Sequence, residues 1–366
     1  MFSVRIWRHF DTLLLASVAL LTIAGVAMIR SAIAGNEELA QQVVRQAVYA
    51  ALGLVVVLAV AAIDYRIWSG LSRPIYVVTL GALALIEVAG QVGFGSARWF
   101  NVGIVLIQPS ELAKILIILV LAAFLARHRE ELSRFKIVAQ SMLLVGAPAG
   151  LVFLQPNLST AIVFLVIWMA LVWAAGIRSR YLLAVAGLGL VSAFVIWPLL
   201  QDYQKARLVG FLFPDPEARF GASYNVDQAL ISIGSGGWFG QGYGAGTQVQ
   251  LRFLKVRHTD FIFSAMSEEF GFVGAVAFLA VLMFVIFRCL RAAGMARDTF
   301  GALICYGVAV LLLFQASINV AMNLKLIPVS GLPLPFFSYG GSSLLANLFG
   351  IGLVESVVLR HKRIEL

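Results

Sequence analysis

Residues 257–263 read Arg-His-Thr-Asp-Phe-Ile-Phe, and in this stretch a long polar segment ends and an apolar segment begins. The polar segment covers about residues 201–260, carries six Lys or Arg residues and interrupts a nearly continuous series of apolar segments. Asp260 stands at the start of the next apolar segment. A carboxylate at a boundary between water and membrane, beside a basic loop, is a candidate for chemistry. The alternative is a helix cap, since Asp is a favoured N-cap residue.

The composition is that of a membrane protein. Hydrophobic residues make up 61% of 366 residues and charged residues only 12%, about half the charged share of a soluble domain. Several apolar windows reach the roughly 20 residues that a spanning helix needs, without the alternation of a barrel strand. The sequence therefore predicts an all-α polytopic membrane protein. We expect a single integral membrane domain over residues 1–366, with about ten spans and the large polar loop between spans seven and eight. The predicted spans are centred near residues 21, 54, 82, 118, 146, 168, 190, 280, 311 and 350.

The Lys and Arg residues are distributed unevenly between the two sides of the predicted membrane. With the N-terminus inside, the cytoplasmic segments hold sixteen of them and the short segments on the other side only four, the long loop left aside. This asymmetry predicts that both termini are cytoplasmic and that the long loop faces outward. The net charge of +9 is then explained by topology and contact with membrane lipids, not by nucleic acid.

The fourth predicted span opens with a charged pair. Residues 108–114 read Gln-Pro-Ser-Glu-Leu-Ala-Lys, where Pro109 suits a helix start and Ser110 a cap. Glu111 and Lys114 are three residues apart, so they share a helix face and are expected to form an ion pair. Such a pair within a span either lines a polar cavity or fixes helix packing, and the sequence leaves both open.

Two other stretches are expected on the outward side. Arg98 carries a guanidinium suited to phosphate recognition, or to a lipid headgroup. Residues 331–343 read Gly-Leu-Pro-Leu-Pro-Phe-Phe-Ser-Tyr-Gly-Gly-Ser-Ser and are too interrupted for a regular span. Non-helical backbone at membrane depth persists only where it is buried in protein or lines an aqueous cavity. We expect a re-entrant segment lining the outward cavity, with an ordinary loop as the alternative.

Local structure is predicted at two further places. Seven glycines between residues 234 and 246 favour tight turns or close approach of the backbone to a bulky ligand, with simple loop flexibility as the alternative. Residues 155–160, Gln-Pro-Asn-Leu-Ser-Thr, read as a turn followed by a capped helix start.

Motifs spread over nearly the whole chain, weak singly and specific in this order, resemble the SEDS family, the shape, elongation, division and sporulation proteins of bacteria. They are Ala97-Arg98-Trp99, residues 108–114, Gly246-Thr247-Gln248, residues 258–263, Glu268-Glu269-Phe270-Gly271 and residues 333–343. The stretch 246–251, Gly-Thr-Gln-Val-Gln-Leu, is closer to the elongation member than to the division member. Two places depart from the family pattern: Asn157 and Ser159 replace Asp and Gly, and Val256-Arg257 replaces Pro-Glu.

The resemblance implies a peptidoglycan glycosyltransferase. Such an enzyme polymerises lipid II on the outer face of the bacterial cytoplasmic membrane for elongation and shape, working with a class B penicillin-binding protein as transpeptidase. The resemblance makes Asp260 the catalytic base, with a pKa raised by partial desolvation at the membrane surface. Other implied site residues are Arg98, Lys114, Lys205 and Arg207 toward the pyrophosphate, Thr259, Ser338, Ser342 and Ser343 as substrate contacts, and Glu111 with Lys114 at the cavity floor.

The resemblance also implies a divalent cation, Mg²⁺ or Mn²⁺, with Asp260 as one ligand, although the sequence carries no cage of carboxylates. The competing functions are a lipid II flippase, which also needs charges within the membrane, and a scaffold that only recruits partners. A flippase requires alternating access to both faces, whereas the polar residues here are concentrated on one. A scaffold does not explain the pair of Glu111 and Lys114.

Overall fold

The computed structural model describes residues 6–361 apart from 90, 94–95, 103–104, 133, 178–180, 182–186, 188, 190–196 and 214–221. Helices dominate this part of the chain. In order they are α1 Thr12–Ala32, α2 Ala40–Ala62, α3 Tyr65–Gly70, α4 Ser72–Ala89, α5 Pro109–Arg127, α6 Phe135–Leu154, α7 Leu158–Ala174, α8 Asp202–Leu212, α9 Ala222–Ser235, α10 Thr247–Gln250, α11 Ile262–Met295, α12 Thr299–Asn323 and α13 Gly341–Leu359. Short 3-10 turns cover Ile6–His9, Glu37–Leu39, Arg129–Glu131 and Trp197–Leu199.

Seven of these helices are long and apolar enough to cross a membrane, namely α1, α2, α5, α6, α11, α12 and α13. The apolar helices α4 and α7 are shorter. Nine of the ten predicted span centres fall inside these nine helices. The tenth, near residue 190, lies outside the described residues. The prediction of a helical multi-pass membrane protein is confirmed.

A small β-sheet between α4 and α5 was not predicted. Strands β1 Gln91–Gly93, β2 Ser96–Val102 and β3 Val105–Ile107 pair antiparallel in the order β1-β2-β3. Strands β1 and β3 are three residues long, too short for a periodic pattern, and the alternation of polar and apolar residues in the seven-residue β2 breaks at Trp99-Phe100. The sheet places Arg98 within β2.

The centre of the bundle is formed by α5, α12 and α13. Between 61% and 83% of their membrane windows is buried, compared with 28–39% for α1, α2, α6 and α11. Glycines allow the close packing. A Cβ at Gly350 of α13 would lie 3.0 Å from Ile115 of α5, and one at Gly307 of α12 would lie 2.7 Å from Ile118. Side chains on the inner face of α5 are therefore enclosed by protein on several sides.

Helix α11 is broken within its third turn, and the glycine loop, residues 236–246, supplies the missing hydrogen bonds. The break falls at Gly271, whose φ of +67° lies in the left-handed region. Backbone groups beside such a break lose their helical partners. Four hydrogen bonds of 2.8–3.0 Å to the glycine loop replace them: Gln241 N–H to Glu268 O, Gly242 N–H to Glu269 O, Phe272 N–H to Gly237 O and Val273 N–H to Trp238 O.

The glycines of this loop permit close approach to α11, while approach of the loop to a bulky ligand stays a prediction. A Cβ at Gly236 would lie 2.0 Å from the carbonyl oxygen of Ser267, and one at Gly240 would lie 2.1 Å from that of Glu269. No side chain fits at these separations without moving the backbone of one partner. The loop and the first turns of α11 are consequently one packed unit.

We predict that Gly236→Ala destabilises the protein and that Gly234→Ala does not. The first substitution forces a methyl group against the Ser267 carbonyl, and overpacking of this kind costs about 1–3 kcal/mol. Gly234 lies in α9 with no atom within 4 Å of an added Cβ, and Ala favours a helix over Gly by about 1 kcal/mol. Thermal unfolding in detergent measures both variants. Equal midpoints for the two would show that the loop does not pack tightly on α11.

Candidate active site

Asp260 does not cap the helix that follows it. Helix α11 begins at Ile262, and its N-cap residue is Phe261, which makes no side-chain capping bond. The turn before the helix is centred on Val256, whose carbonyl accepts from the N–H groups of Thr259 at 3.2 Å and Phe261 at 3.4 Å. The helix-cap alternative for Asp260 is therefore wrong. Its carboxylate is partly buried and has no hydrogen-bond partner among the described residues.

The backbone of residues 258–260 is fixed by hydrogen bonds from other elements. All three consecutive carbonyl groups accept a bond from outside the segment. The donors are Tyr339 N–H to His258 O at 3.0 Å, Ser338 Oγ to Thr259 O at 2.8 Å, and Asn319 Nδ2 at 3.1 Å with Asn323 Nδ2 at 3.0 Å to Asp260 O. We call these bonds the carbonyl clamp. They fix the site to α12 and to the segment that precedes α13.

The two asparagines of the carbonyl clamp are fully buried on one face of α12. Asn319 also donates to the carbonyl of Leu332 at 2.8 Å. The Oδ1 atom of Asn323 accepts from the N–H of Ser264 at 3.2 Å and from its hydroxyl at 2.6 Å. Sequence reasoning missed this cluster. The available signal was two asparagines four residues apart in an otherwise apolar span, which places both on one helix face.

Residues 331–340, which precede α13, are irregular as predicted, and most of their side chains are buried. Leu334, Phe336 and Phe337 are at most 2% exposed, and the segment shows no helix before Gly341. Gln46 of α2 holds its end through Nε2 to Ser338 O at 3.3 Å and through Oε1, which accepts from the Gly340 N–H at 3.2 Å. Gln46 is a second residue that sequence reasoning missed. That this segment lines a cavity stays a prediction.

Two of the three predicted serine contacts, Ser338 and Ser342, have hydrogen-bond partners within the protein. The Ser338 hydroxyl accepts from the Leu334 N–H at 2.9 Å while donating to Thr259. Ser342 accepts from the backbone N–H of Gln108 at 2.9 Å, which joins the start of α13 to the start of α5. Ser343 is buried in the first turn of α13. Their contact with substrate stays a prediction, as does that of Thr259, whose hydroxyl donates to Val256 O at 3.2 Å.

The predicted ion pair of Glu111 and Lys114 is present. Lys114 Nζ lies 2.8 Å from Glu111 Oε1, and the two side chains are 2% and 7% exposed. The cap prediction is wrong, because Gln108 is the N-cap residue and Pro109 the first helical residue. Ser110 lies within the helix, where its hydroxyl accepts from Gln108 Nε2 at 3.1 Å. Pro109 takes the first position because the missing N–H has no helical partner there.

The turn at residues 155–160 matches its prediction. Asn157 is the N-cap residue of α7, and its side chain accepts from the Thr160 N–H at 3.3 Å. This asparagine therefore has a capping role that an acidic residue would also fill.

Among the predicted basic residues whose side chains the structure describes, Arg207 carries the charge that lowers the pKa of Asp260. It lies on α8, with its guanidinium 5.5 Å from the ring centre of Tyr203 and Nη1 3.5 Å from the carbonyl of Val329. Lys205, on the same helix, reaches the carbonyl of Pro198 at 3.5 Å. The side chain of Arg98 lies outside the described part of the structure. Arg207 and Asp260 are thus the opposite charges that the fold brings together.

Burial shifts the pKa values of Asp260 and His258 in opposite directions. Desolvation raises the pKa of Asp260 above its ordinary value of 3.8, and the positive charge of Arg207 opposes that rise. Burial, with the neighbouring charge of Arg257, lowers the pKa of His258 to about 4. His258 is consequently neutral near pH 7 and supplies no positive charge to an anionic substrate.

The Glu268 and Glu269 motif anchors neighbouring elements. Glu268 Oε1 accepts from the N–H of Gln248 at 2.8 Å and from the hydroxyl of Thr247 at 3.3 Å, so it stabilises the first turn of α10. Glu269 accepts a hydrogen bond from Ser31 of α1. These contacts give the Gly-Thr-Gln and Glu-Glu motifs a shared structural role beside the site.

The described residues include no group of three or more His, Cys, Asp or Glu side chains positioned to hold a metal ion. Asp260 offers one carboxylate. Mg²⁺ is commonly held by one or two carboxylates together with substrate phosphates and water. The donor set therefore fits a divalent ion only when a phosphate-bearing substrate supplies further ligands.

These features define a multi-pass membrane protein with a partly buried carboxylate and a guanidinium at one end of its helical bundle. The family model of FtsW, RodA and SpoVE, described as a cell cycle protein, matches residues 11–363, and the chain belongs to that family. This membership confirms the resemblance stated from the motifs.

Characterised relatives agree. The chain is 37% identical over 318 residues to the peptidoglycan glycosyltransferase MrdB of Escherichia coli (strain K12), covering 86% of this chain and 85% of the relative. It is 33% identical over 368 residues to a probable peptidoglycan glycosyltransferase FtsW of Geobacter sp. (strain M18), covering 96% and 98%. The prediction of a peptidoglycan glycosyltransferase is confirmed.

Solved structures share the fold. A chain of a peptidoglycan synthase complex, studied for how it coordinates polymerization and crosslinking, has a TM-score of 0.82 and 32% identity, covering 96% of this chain and 98% of that chain. The rod shape determining protein RodA of Thermus thermophilus has a TM-score of 0.70 and 32% identity, covering 96% and 97%.

We predict that Asn319→Leu lowers both stability and activity, whereas Gln315→Leu does not lower stability. Asn319→Leu leaves the buried carbonyl of Leu332 without its donor, at a cost of about 1–3 kcal/mol, and removes half of the clamp on Asp260 O. Gln315 is four residues away on α12, and neither of its side-chain polar atoms has a hydrogen-bond partner in the described structure. Unfolding midpoints and glycan synthesis measure both. A stable, fully active Asn319→Leu variant would show that the carbonyl clamp is not needed for the stability or the activity of the site.

Proposed function

We propose that this enzyme polymerises lipid II into glycan strands on the outer face of the bacterial cytoplasmic membrane, for cell elongation and shape, with Asp260 as catalytic base. The observation that carries this proposal is the carboxylate of Asp260. The backbone carbonyl of Asp260 is fixed by two hydrogen bonds. Desolvation raises the pKa of its carboxylate, and the positive charge of Arg207 opposes that rise. A fixed carboxylate with a raised pKa is suited to accept a proton from a sugar hydroxyl.

In the proposed reaction, the oxygen of the acceptor sugar hydroxyl forms a bond to the anomeric carbon of the donor. The bond between that carbon and the pyrophosphate oxygen breaks, and the lipid-linked pyrophosphate leaves with the electron pair. Asp260 takes the hydroxyl proton. Arg207 offsets charge that develops on the pyrophosphate, because fixed cations near a developing anion lower the barrier. Lys205, Arg98 and Lys114 are proposed to extend this positive field.

A bound divalent cation, Mg²⁺ or Mn²⁺, would supply further positive charge to the pyrophosphate. Asp260 is the proposed protein ligand for it. Glu111 and Lys114 are proposed to organise the floor of the substrate cavity. Removing one partner of a buried pair costs about 3–5 kcal/mol because the other charge is left unpaired. Loss of either residue is therefore expected to destabilise the cavity floor, whether or not the pair contacts substrate.

The partner that we propose is a class B penicillin-binding protein acting as transpeptidase. This proposal is supported by the structural relative that belongs to a peptidoglycan synthase complex coordinating polymerization and crosslinking. The elongation role is supported by the similarity to RodA and MrdB, and similarity to FtsW keeps the division role as the alternative. The outward placement of the Asp260 end follows from the distribution of Lys and Arg.

The test of the proposed function is polymerisation of lipid II by the purified protein with its class B partner, comparing wild type with Asp260→Ala. We expect glycan strands from the wild type and none from the variant, with partner binding retained. A chelator arm measures the need for a divalent ion. Equal product from both proteins would exclude Asp260 as base, and lipid II translocation without polymerisation by the folded complex would favour a flippase.

We predict that Arg207→Gln moves the acidic limb of the pH–rate profile to higher pH. The base must be deprotonated, so the rate rises as pH passes upward through the pKa of Asp260. Arg207 lowers that pKa, and its removal therefore raises the pH at which activity appears. Arg207→Lys keeps the charge and is expected to move the limb less. An unchanged pH–rate profile in Arg207→Gln would show that the charge of Arg207 does not affect the pKa of Asp260.

A further inference from the structure

A cavity of about 230 Å³ lies at the end of the bundle opposite Asp260. It is formed where α1 begins and where α11 and α13 end. The basic side chains that line it are His9, Arg288, Arg291 and His361. Apolar side chains, including Met295 and Val358, form the rest of its wall. The cavity thus combines cationic groups with an apolar surface at the end of three membrane-spanning helices.

The carboxylate in this cavity is already neutralised. Asp11 Oδ1 accepts from the N–H of Leu14 at 3.0 Å, as the N-cap of α1, and Oδ2 accepts from Arg288 Nε at 2.7 Å. A second contact joins Arg288 Nη2 to the same oxygen. Behind it, fully buried Glu355 accepts from the Asp11 N–H at 3.1 Å. This network holds the Arg288 guanidinium in one orientation.

Arg291 is the available cation. It lies three residues after Arg288 on α11, is exposed, and has no hydrogen-bond or ion-pair partner in the described part of the chain. The rings of His9 and His361 meet edge to face at 5.2 Å. Arg297 donates through Nε to the carbonyl of His361 at 3.1 Å and brings another guanidinium close by. Arg291 and Arg297 therefore lie around the opening, Asp11 is paired with Arg288, and Glu355 is fully buried behind them with its Oε1 atom lacking a hydrogen-bond partner among the described residues.

We propose that this cavity binds a phosphate-bearing anion, and that the anion is the headgroup phosphate of an anionic phospholipid in the adjoining leaflet. Guanidinium groups match phosphate oxygens in geometry and charge. The apolar wall suits the glycerol backbone and first acyl carbons, which a free phosphate compound lacks. The cavity also lies at the ends of spanning helices, where basic pockets between helices meet lipid headgroups.

The test compares lipid retention by the purified full-length protein in detergent, using native mass spectrometry with phosphatidylglycerol or phosphatidylcholine added. Wild type is expected to retain phosphatidylglycerol preferentially. Arg291→Gln is expected to reduce that retention about fivefold, since one basic residue near an anionic lipid contributes about 1 kcal/mol, and Arg291→Lys is expected to retain most of it. Arg73→Gln is the control, because Arg73 is exposed on α4 and does not line the cavity.

Three outcomes would overturn the lipid assignment. Equal retention of the two lipids, or unchanged retention in Arg291→Gln and in His361→Gln, would show that the cavity does not select an anionic phospholipid. Displacement of the bound lipid by millimolar inorganic phosphate would assign the cavity to free phosphate compounds. Arg291 has no partner to lose among the described residues, so its variant is expected to unfold at the wild-type temperature, which the same preparation checks.

Discussion

Every polar backbone group buried within a membrane must find its hydrogen-bond partner inside the protein, and the active-site end of this chain is built around that constraint. Two stretches of backbone leave helical geometry at that end. The break at Gly271 is repaired by the glycine loop at 236–246, and the irregular segment before α13 is held by Asn319, Gln46 and its own turns. The second repair contacts the site directly, because Asn319 also donates to the carbonyl of Asp260.

Charged side chains that are buried also need partners within the protein. Glu111 and Lys114 are nearly inaccessible and depend on each other, because an isolated charge there would cost several kcal/mol. The burial that raises the pKa of Asp260 also lowers that of His258, leaving Arg207 as the cation that offsets the carboxylate. One environment thereby produces a base with a raised pKa beside a permanent positive charge, a pairing suited to transfer of a sugar from a pyrophosphate.

The sequence predicted what periodicity and charge spacing encode. Apolar runs located nine helices, the three-residue spacing located the buried ion pair, and the proline-rich motif predicted an irregular buried segment. The short sheet was missed because two of its strands are only three residues long and the alternation in β2 is interrupted. The partners of the glycines and asparagines were missed because they depend on which elements become neighbours in the fold. The sequence around a glycine does not show whether that glycine contacts a ligand or a helix.

The carbonyl clamp explains how a partly buried aspartate remains available for chemistry. A residue in such a position is usually held by its own side chain, as the cap of Asp11 on α1 shows. At Asp260 the main-chain carbonyl takes the bonds that fix position, from two buried asparagines. The carboxylate is left without a hydrogen-bond partner among the described residues. Position is set by the backbone and reactivity by the side chain, so the proton-accepting oxygen need not give up a structural bond when substrate arrives.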